Sequence, residues 1–219
     1  MRAIKAEKIY TPEKVIETGY IIIENGIIVD ITTQKPSCEI IDFSGCEAIP
    51  GMIDIHIHGL AGNDTMDGRI NSLQEMSMSL ANYGVTGFLP TTLTHDFDKI
   101  KQAIKAVSEA MDKTIGAEII GSYVEGPYIT PEHRGAHPVK FMRELSIDEL
   151  VELIEISNGT VKIVTIAPEK ELAFEAIQFL TQKEIHVSMG HTNADYDITN
   201  KAIEYGAKVA VHTFNGMRG

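Results

Sequence analysis

The sequence is short of cysteine, of long apolar runs and of basic charge. It has two cysteines, Cys38 and Cys46, in 219 residues. Two thiols without C-x-x-C spacing make neither a disulfide scaffold nor a zinc ribbon; they read as structural thiols in a reducing cytoplasm. No apolar run approaches the ~18 residues of a membrane-spanning helix. The opening stretch, Met1 to Lys8, lacks the apolar segment of a secretory signal. Lys and Arg number 19 against 31 Asp and Glu, a net charge of −12. Nucleic acid and anionic membranes both reward a basic surface, so neither is expected as a partner. A small anionic substrate stays open, because a few local donors hold a phosphate whatever the total charge. Low-complexity tracts are absent as well. What remains, 43% apolar and 23% charged residues, is the composition of a soluble globular protein. The length suits one large domain, or one plus a small one.

Residues 1–48 read as short strands and turns. Tyr20-Ile21-Ile22-Ile23 and Ile27–Ile31 flank Asn25-Gly26, a dipeptide that favours a tight hairpin. Ile40–Phe43 is a further strand candidate. From residue 49 strand-like runs alternate with helix-length segments. The expected strands are Ile49–His58, Val85–Thr92, Ala117–Glu125, Val161–Ala167, His186–Gly190 and Val209–Phe214. The expected helices are about 71–83, 96–112, 146–157, 170–183 and 195–205. Ser146 followed by Glu149 has the capping-box form, and Gly84, Gly159 and Gly206 suit left-handed helix ends. Such alternation implies a parallel sheet, and the strands look apolar on both faces, as buried parallel strands do. Six βα repeats fit a doubly wound sheet or an incomplete (β/α)8 TIM-type barrel. Polar residues gather at the C-terminal ends of the strands, where barrel enzymes carry their chemistry. We therefore expect residues 1–48 to form a small β-sandwich portion and 49–219 a partial barrel.

His56-Ile57-His58 closes the first of these strands. Residues two apart in a strand share a face, so both imidazoles can aim at one point. Glu125 ends the third strand, His191 follows the fifth and His212 ends the sixth. Four histidines and one carboxylate at four strand ends suit one or two divalent ions, zinc, iron, manganese or cobalt rather than calcium or magnesium. An H-x-H pair alone is weak evidence; five candidate ligands at successive strand ends are much harder to attribute to chance.

Ile49-Pro50-Gly51-Met52-Ile53-Asp54-Ile55-His56-Ile57-His58-Gly59 resembles the first-strand signature of the amidohydrolase superfamily. Within it, Val124-Glu125-Gly126-Pro127-Tyr128, Gly135-Ala136-His137, Gly190-His191-Thr192 and His212-Thr213-Phe214-Asn215-Gly216-Met217 are similar to the N-acetylglucosamine-6-phosphate deacetylases. The resemblance covers nearly the whole chain, and it implies roles. Glu125, His191 and His212 correspond to the principal metal ligands, and His56 and His58 to a pair that binds a second metal in some members. Ala136 and His137 correspond to positions touching the sugar, and Asn215 and Gly216 to a turn receiving the phosphate. It further implies a phosphorylated amino-sugar substrate, a homodimer in the full-length protein, and a proton-shuttling aspartate on the eighth barrel strand. That aspartate would lie beyond Gly219, so no catalytic residue of this kind is expected here. The chain is expected to be part of a longer protein, with little activity alone.

Other residues read more plainly. His95 suits a helix entrance; His133 and Arg134 lie in a loop that could approach substrate, although a solvated loop is the simpler reading. His186 begins a strand, at the wrong end for catalysis. Asp54 should turn away from the ligand face by alternation. Dihydroorotases, cyclic-amide hydrolases and other N-acyl amino-sugar deacetylases are the nearest rivals; many amidohydrolases carry a metal-bridging lysine on the fourth strand, and Lys162 lies too early to serve. A non-catalytic, metal-binding fragment is the rival from another class.

Overall fold

The computed structural model describes residues 1–219, which divide into two compact units, Met1–Gly51 and Met52–Gly219. The first is a four-stranded sheet of β1 (Arg2–Tyr10), β2 (Val15–Glu24), β3 (Ile27–Thr32) and β4 (Glu39–Ala48), in the order β3-β2-β1-β4. Ala3, Ala6 and Ile9 of β1 are buried. The hairpin between β2 and β3 turns on Asn25 (φ 51°) and Gly26 (φ 79°); two positive φ values match the right-handed twist of the flanking strands, and glycine takes one without strain. β1 pairs antiparallel with β2 but parallel with β4. That last pairing joins strands far apart in the chain and leaves no local mark on the sequence.

The second unit alternates strand and helix. Its strands are β5 (Met52–Ile57), the short hairpin β6 (Gly59–Leu60) and β7 (Asn63–Asp64), then β8 (Val85–Pro90), β9 (Glu118–Ile119), β10 (Ser122–Val124), β11 (Val161–Ile166), β12 (His186–Met189) and β13 (Val209–Ala210). Its helices are α1 (Ile70–Ala81), α2 (Phe97–Ala110), α3 (Ile147–Ile156), α4 (Ala173–Gln182) and α5 (Tyr196–Tyr205). Two parallel sheets, β5-β8-β9 and β10-β11-β12-β13, follow one another. A parallel bridge between Thr91 and Tyr123 links them, and the Thr92 N–H donates to the Tyr123 carbonyl at 2.9 Å. The strands therefore lie side by side in chain order. A doubly wound sheet must reverse that order at a switch point; none is present.

Three expected elements differ from what forms. The strand expected over Ala117–Glu125 is broken at Ile120-Gly121, where Gly121 takes φ 146°. The one expected over Val209–Phe214 stops at Ala210, because His212 (φ 51°) and Phe214 (φ 68°) are left-handed and coil the chain into a turn. The helix expected from 170 starts only at Ala173: Leu172 is left-handed (φ 62°), and residues 167–170 form a turn closed by the Lys170 N–H on the Ala167 carbonyl.

The core follows helical periodicity. Leu73, Met76 and Leu80 of α1 pack with Phe88 of β8, Ile119 of β9 and Val107 of α2. Leu150 and Leu153 of α3, and Ala176, Ile177 and Leu180 of α4, pack on Val164, Ile166 and Val187. Polar caps fix the helix starts: Asp96, Ser146 and Asp195 accept the N–H groups of Asp98, Glu149 and Ile198. No helix is long and apolar enough to cross a membrane. The apolar packing thus holds the C-terminal strand ends of β5, β10, β12 and β13 in fixed relation, and the chemistry-bearing side chains sit there.

Candidate metal centre

Each of these strands delivers one or two ligand-type side chains at or just past its C-terminal end. His56 lies in β5 and His58 just after it, Glu125 follows β10, His191 comes two residues after β12, and His212 two residues after β13. Glu125 is 1% exposed, and four imidazoles surround its carboxylate. His58 Nε2 is 3.0 Å from Oε2, and His56, His191 and His212 present Nε2 to Oε1 at 3.4, 3.2 and 2.9 Å. His56 and His58 bring their Nε2 atoms to 3.4 Å of each other, as residues two apart on one strand face can. His137, from the loop after β10, adds a fifth ring, with Nε2 3.3 Å from Glu125 Oε2. The expected ligands are thus brought together, His212 by a turn rather than by a strand end.

Two ligand triads share the carboxylate: His56, His58 and Glu125, and Glu125, His191 and His212, each with its donor atoms within 4.8 Å of one another. Metal–ligand bonds of ~2.0–2.1 Å at tetrahedral angles put ligand atoms about 3.3 Å apart. The observed spacings of 2.9 to 3.4 Å bracket that value. The donor set of imidazole nitrogens and one carboxylate is also that of a transition-metal or zinc site. The residues present therefore fit a divalent ion, and the shared Glu125 fits either one ion or two.

Electrostatics and hydrogen bonding prepare the site. Burial works to raise the Glu125 pKa, but hydrogen bonds from His137, His191, His56 and His58 reverse this and hold the carboxyl far below the usual carboxylate range. Burial likewise works to lower the pKa of His58 and His191. The Glu125 contact together with a backbone carbonyl outweighs it, and both are raised. In His137 burial wins, and the pKa is lowered. His58 Nδ1 lies 3.2 Å from the Thr91 carbonyl and His191 Nδ1 2.7 Å from the His133 carbonyl. A carbonyl only accepts, so each ring carries a proton on Nδ1; Nε2 donates to Glu125 while the ring is doubly protonated and is the atom free to offer a lone pair to an ion once that proton is lost. His191 and His212 have left-handed backbone, φ 50° and 51°, uncommon outside glycine but less so for histidine.

A cavity of about 590 Å³ opens over the cluster. His58, Glu125, His191 and His212 form its floor, and Ala136, His137, Asn215 and Gly216, singled out in the sequence for substrate, also line it. The Asn215 and Gly216 N–H groups both donate to the His212 carbonyl at 2.8 Å. The loop residues Glu132 and His133 line the cavity too; His133 is therefore part of the site's wall and not a purely solvated loop residue, because its carbonyl anchors His191. That anchoring has no residue signature, since a backbone carbonyl is the same at every position. His95 stacks on Phe141 at 4.7 Å, just before the α2 cap. Lys162 is exposed near the start of β11, and the Asp54 carboxylate accepts the His56 N–H at 3.0 Å.

Comparison with known proteins gives the site a context. The amidohydrolase family model matches residues 48–219. The N-acetylglucosamine-6-phosphate deacetylase of Vibrio furnissii is 42% identical over 199 residues, covering 90% of this chain and 50% of that protein. The N-acetylgalactosamine-6-phosphate deacetylase of Escherichia coli O157:H7 is 38% identical over 222 residues, covering 99% of this chain and 57% of that protein. Among solved structures, an N-acetyl-D-glucosamine-6-phosphate deacetylase variant from Mycobacterium smegmatis, in complex with N-acetyl-D-glucosamine-6-phosphate, superposes with a TM-score of 0.89 at 26% identity. That match covers 99% of this chain and 56% of that one. The chain spans about half the length of the curated relatives it matches.

Proposed function

Because the chain belongs to the amidohydrolase family, we propose that it forms the metal-binding part of a deacetylase that hydrolyses N-acetylglucosamine-6-phosphate to glucosamine-6-phosphate and acetate. The observation that carries this reading is the convergence of His56, His58, His191 and His212 on the buried Glu125 beneath one open cavity. The parallel strands, added in chain order, are read as six units of a (β/α)8 barrel, and the sheet of residues 1–51 as part of a small β-sandwich.

Glu125, His191 and His212 would hold one ion, and His56 and His58, sharing Glu125, a second. A divalent cation held there supplies hydroxide near neutral pH and polarises the acetamide carbonyl. Hydrolysis adds water across the amide: the carbonyl carbon gains the oxygen, the C–N bond breaks, and the nitrogen leaves as the amine with a proton. His137, on the cavity wall, would donate to the oxygen that gains negative charge. Ala136 limits the space beside the sugar. The turn at Asn215 and Gly216 would exchange its His212 carbonyl for a phosphate oxygen.

The 38% identity to a galactosamine-6-phosphate enzyme over nearly the whole chain favours a second substrate reading within the same chemistry, the epimeric N-acetylgalactosamine-6-phosphate. Metal analysis of the purified protein and of its Glu125→Gln variant, with acetate release from both epimers, tests the proposal. We expect one to two divalent ions per chain, lost from the variant, and a preference for the glucosamine epimer wherever turnover is seen. Failure of the wild type to retain metal, or equal retention by the variant, would overturn the metal centre. A preference for the galactosamine epimer would move the assignment to the second substrate.

A further inference from the structure

His137 differs from the other rings of the cluster in what lies behind it. Its side chain is 2% exposed, and its Nδ1 faces Thr94. The Thr94 backbone N–H donates to that nitrogen at 3.2 Å, and the Thr94 hydroxyl lies 2.7 Å away. A backbone N–H can only donate, so Nδ1 must present a lone pair, and the hydroxyl must then be a second donor. The ring proton is left on Nε2, the atom 3.3 Å from Glu125 Oε2. His58 and His191, with carbonyls behind Nδ1, carry a proton on that nitrogen instead.

We propose that Thr94 is a positioning residue that locks His137 as the Nε2–H tautomer, so that this ring serves as a hydrogen-bond donor to the reacting carbonyl and is kept from ligating the ion. Only the identity of the oxygen served rests on the deacetylase reading; the sorting of the rings does not. The backing thus separates these three rings: His58 and His191, backed by carbonyls, have Nε2 available to an ion, and His137, backed by donors, offers a proton, while His56 Nδ1 is buried without a partner. Thr94 is itself fully buried, and it packs against Gly126, where any Cβ would collide with its Oγ1. Such a fit leaves the hydroxyl little freedom to swing away from the imidazole.

The test is long-range 1H–15N correlation on protein labelled with 15N-histidine, metal-free and zinc-loaded, with His137 assigned by loss of its signals in His137→Gln. In the wild type we expect a protonated Nε2 and an unprotonated Nδ1 on His137, unchanged by zinc, and on His58 and His191 a protonated Nδ1 with an Nε2 that carries no proton once zinc is loaded. In Thr94→Val, which keeps the backbone N–H and loses the hydroxyl, the His137 Nε2 proton should exchange with water about tenfold faster, the loss of one buried hydrogen bond. Thr94→Ser should restore the slow exchange. A protonated Nδ1 on wild-type His137, loss of its Nε2 proton on zinc loading, or equal exchange in the Val and Ser variants would overturn the proposal. The wild-type spectrum decides even if the Val variant does not fold. Because the metal-free spectrum needs neither ion nor substrate, absence of metal binding or turnover would count against the deacetylase reading alone.

Discussion

At position 126 the backbone takes φ 71°, and a Cβ there would run into Thr94 Oγ1 and approach His137 Nδ1. Glycine is required twice, for the left-handed backbone and for the close approach. Gly126→Ala should therefore lower stability by about 1–3 kcal/mol; urea denaturation measures this, and a loss below ~0.5 kcal/mol would mean that the loop yields easily. The ligand-type residues were legible in the sequence, because residue type and strand position together define them: an H-x-H pair at a strand end, then Glu125, His191 and His212 in step. Their orienting partners were not. The Thr91 and His133 carbonyls have no residue signature, and Thr94 sits in the unremarkable run Thr91-Thr92-Leu93-Thr94.

Elements were legible where local chemistry marks their ends. Ser146 caps α3 through the Glu149 N–H, as the spacing implied, although the Glu149 side chain serves Arg143 and Tyr128. Ser146→Ala should cost about 1 kcal/mol, whereas Leu153→Ala, emptying a side-chain volume in the main core, should cost about 2–5 kcal/mol. Equilibrium denaturation of both variants checks the ranking; a reversal would show that α3 is held by its cap more than by its packing. Element ends differ from the sequence pattern where the backbone turns left-handed at residues that are not glycine. His212 and Phe214 curtail β13, and Leu172 delays α4. Nothing in these side chains announces a positive φ, which is imposed by the turns that present His212 and close the chain before α4.

On the scale of the whole molecule, β3 exposes Ile27, Ile28 and Val29, and β5 exposes Met52, Ile53 and Ile55. Both strands lie at sheet edges, where unpaired backbone and apolar side chains invite pairing with another chain. A net charge of −12 opposes that contact, and salt weakens the repulsion. We expect self-association that grows with protein and salt concentration and is reduced by Ile28→Lys. Sedimentation velocity measures it, and a chain that stays monomeric at high salt would contradict the expectation. The order of strands and helices was legible at this scale through the alternating pattern, but the parallel pairing of β1 with β4 was not, because it joins distant segments. The left-handed backbone at His191 and His212 has an outcome for breeding this protein: glycine would rest there more comfortably than histidine. A library screened only for survival on heating would trade both imidazoles for smaller residues, and the hardier descendants would have given up two of the rings that converge on Glu125.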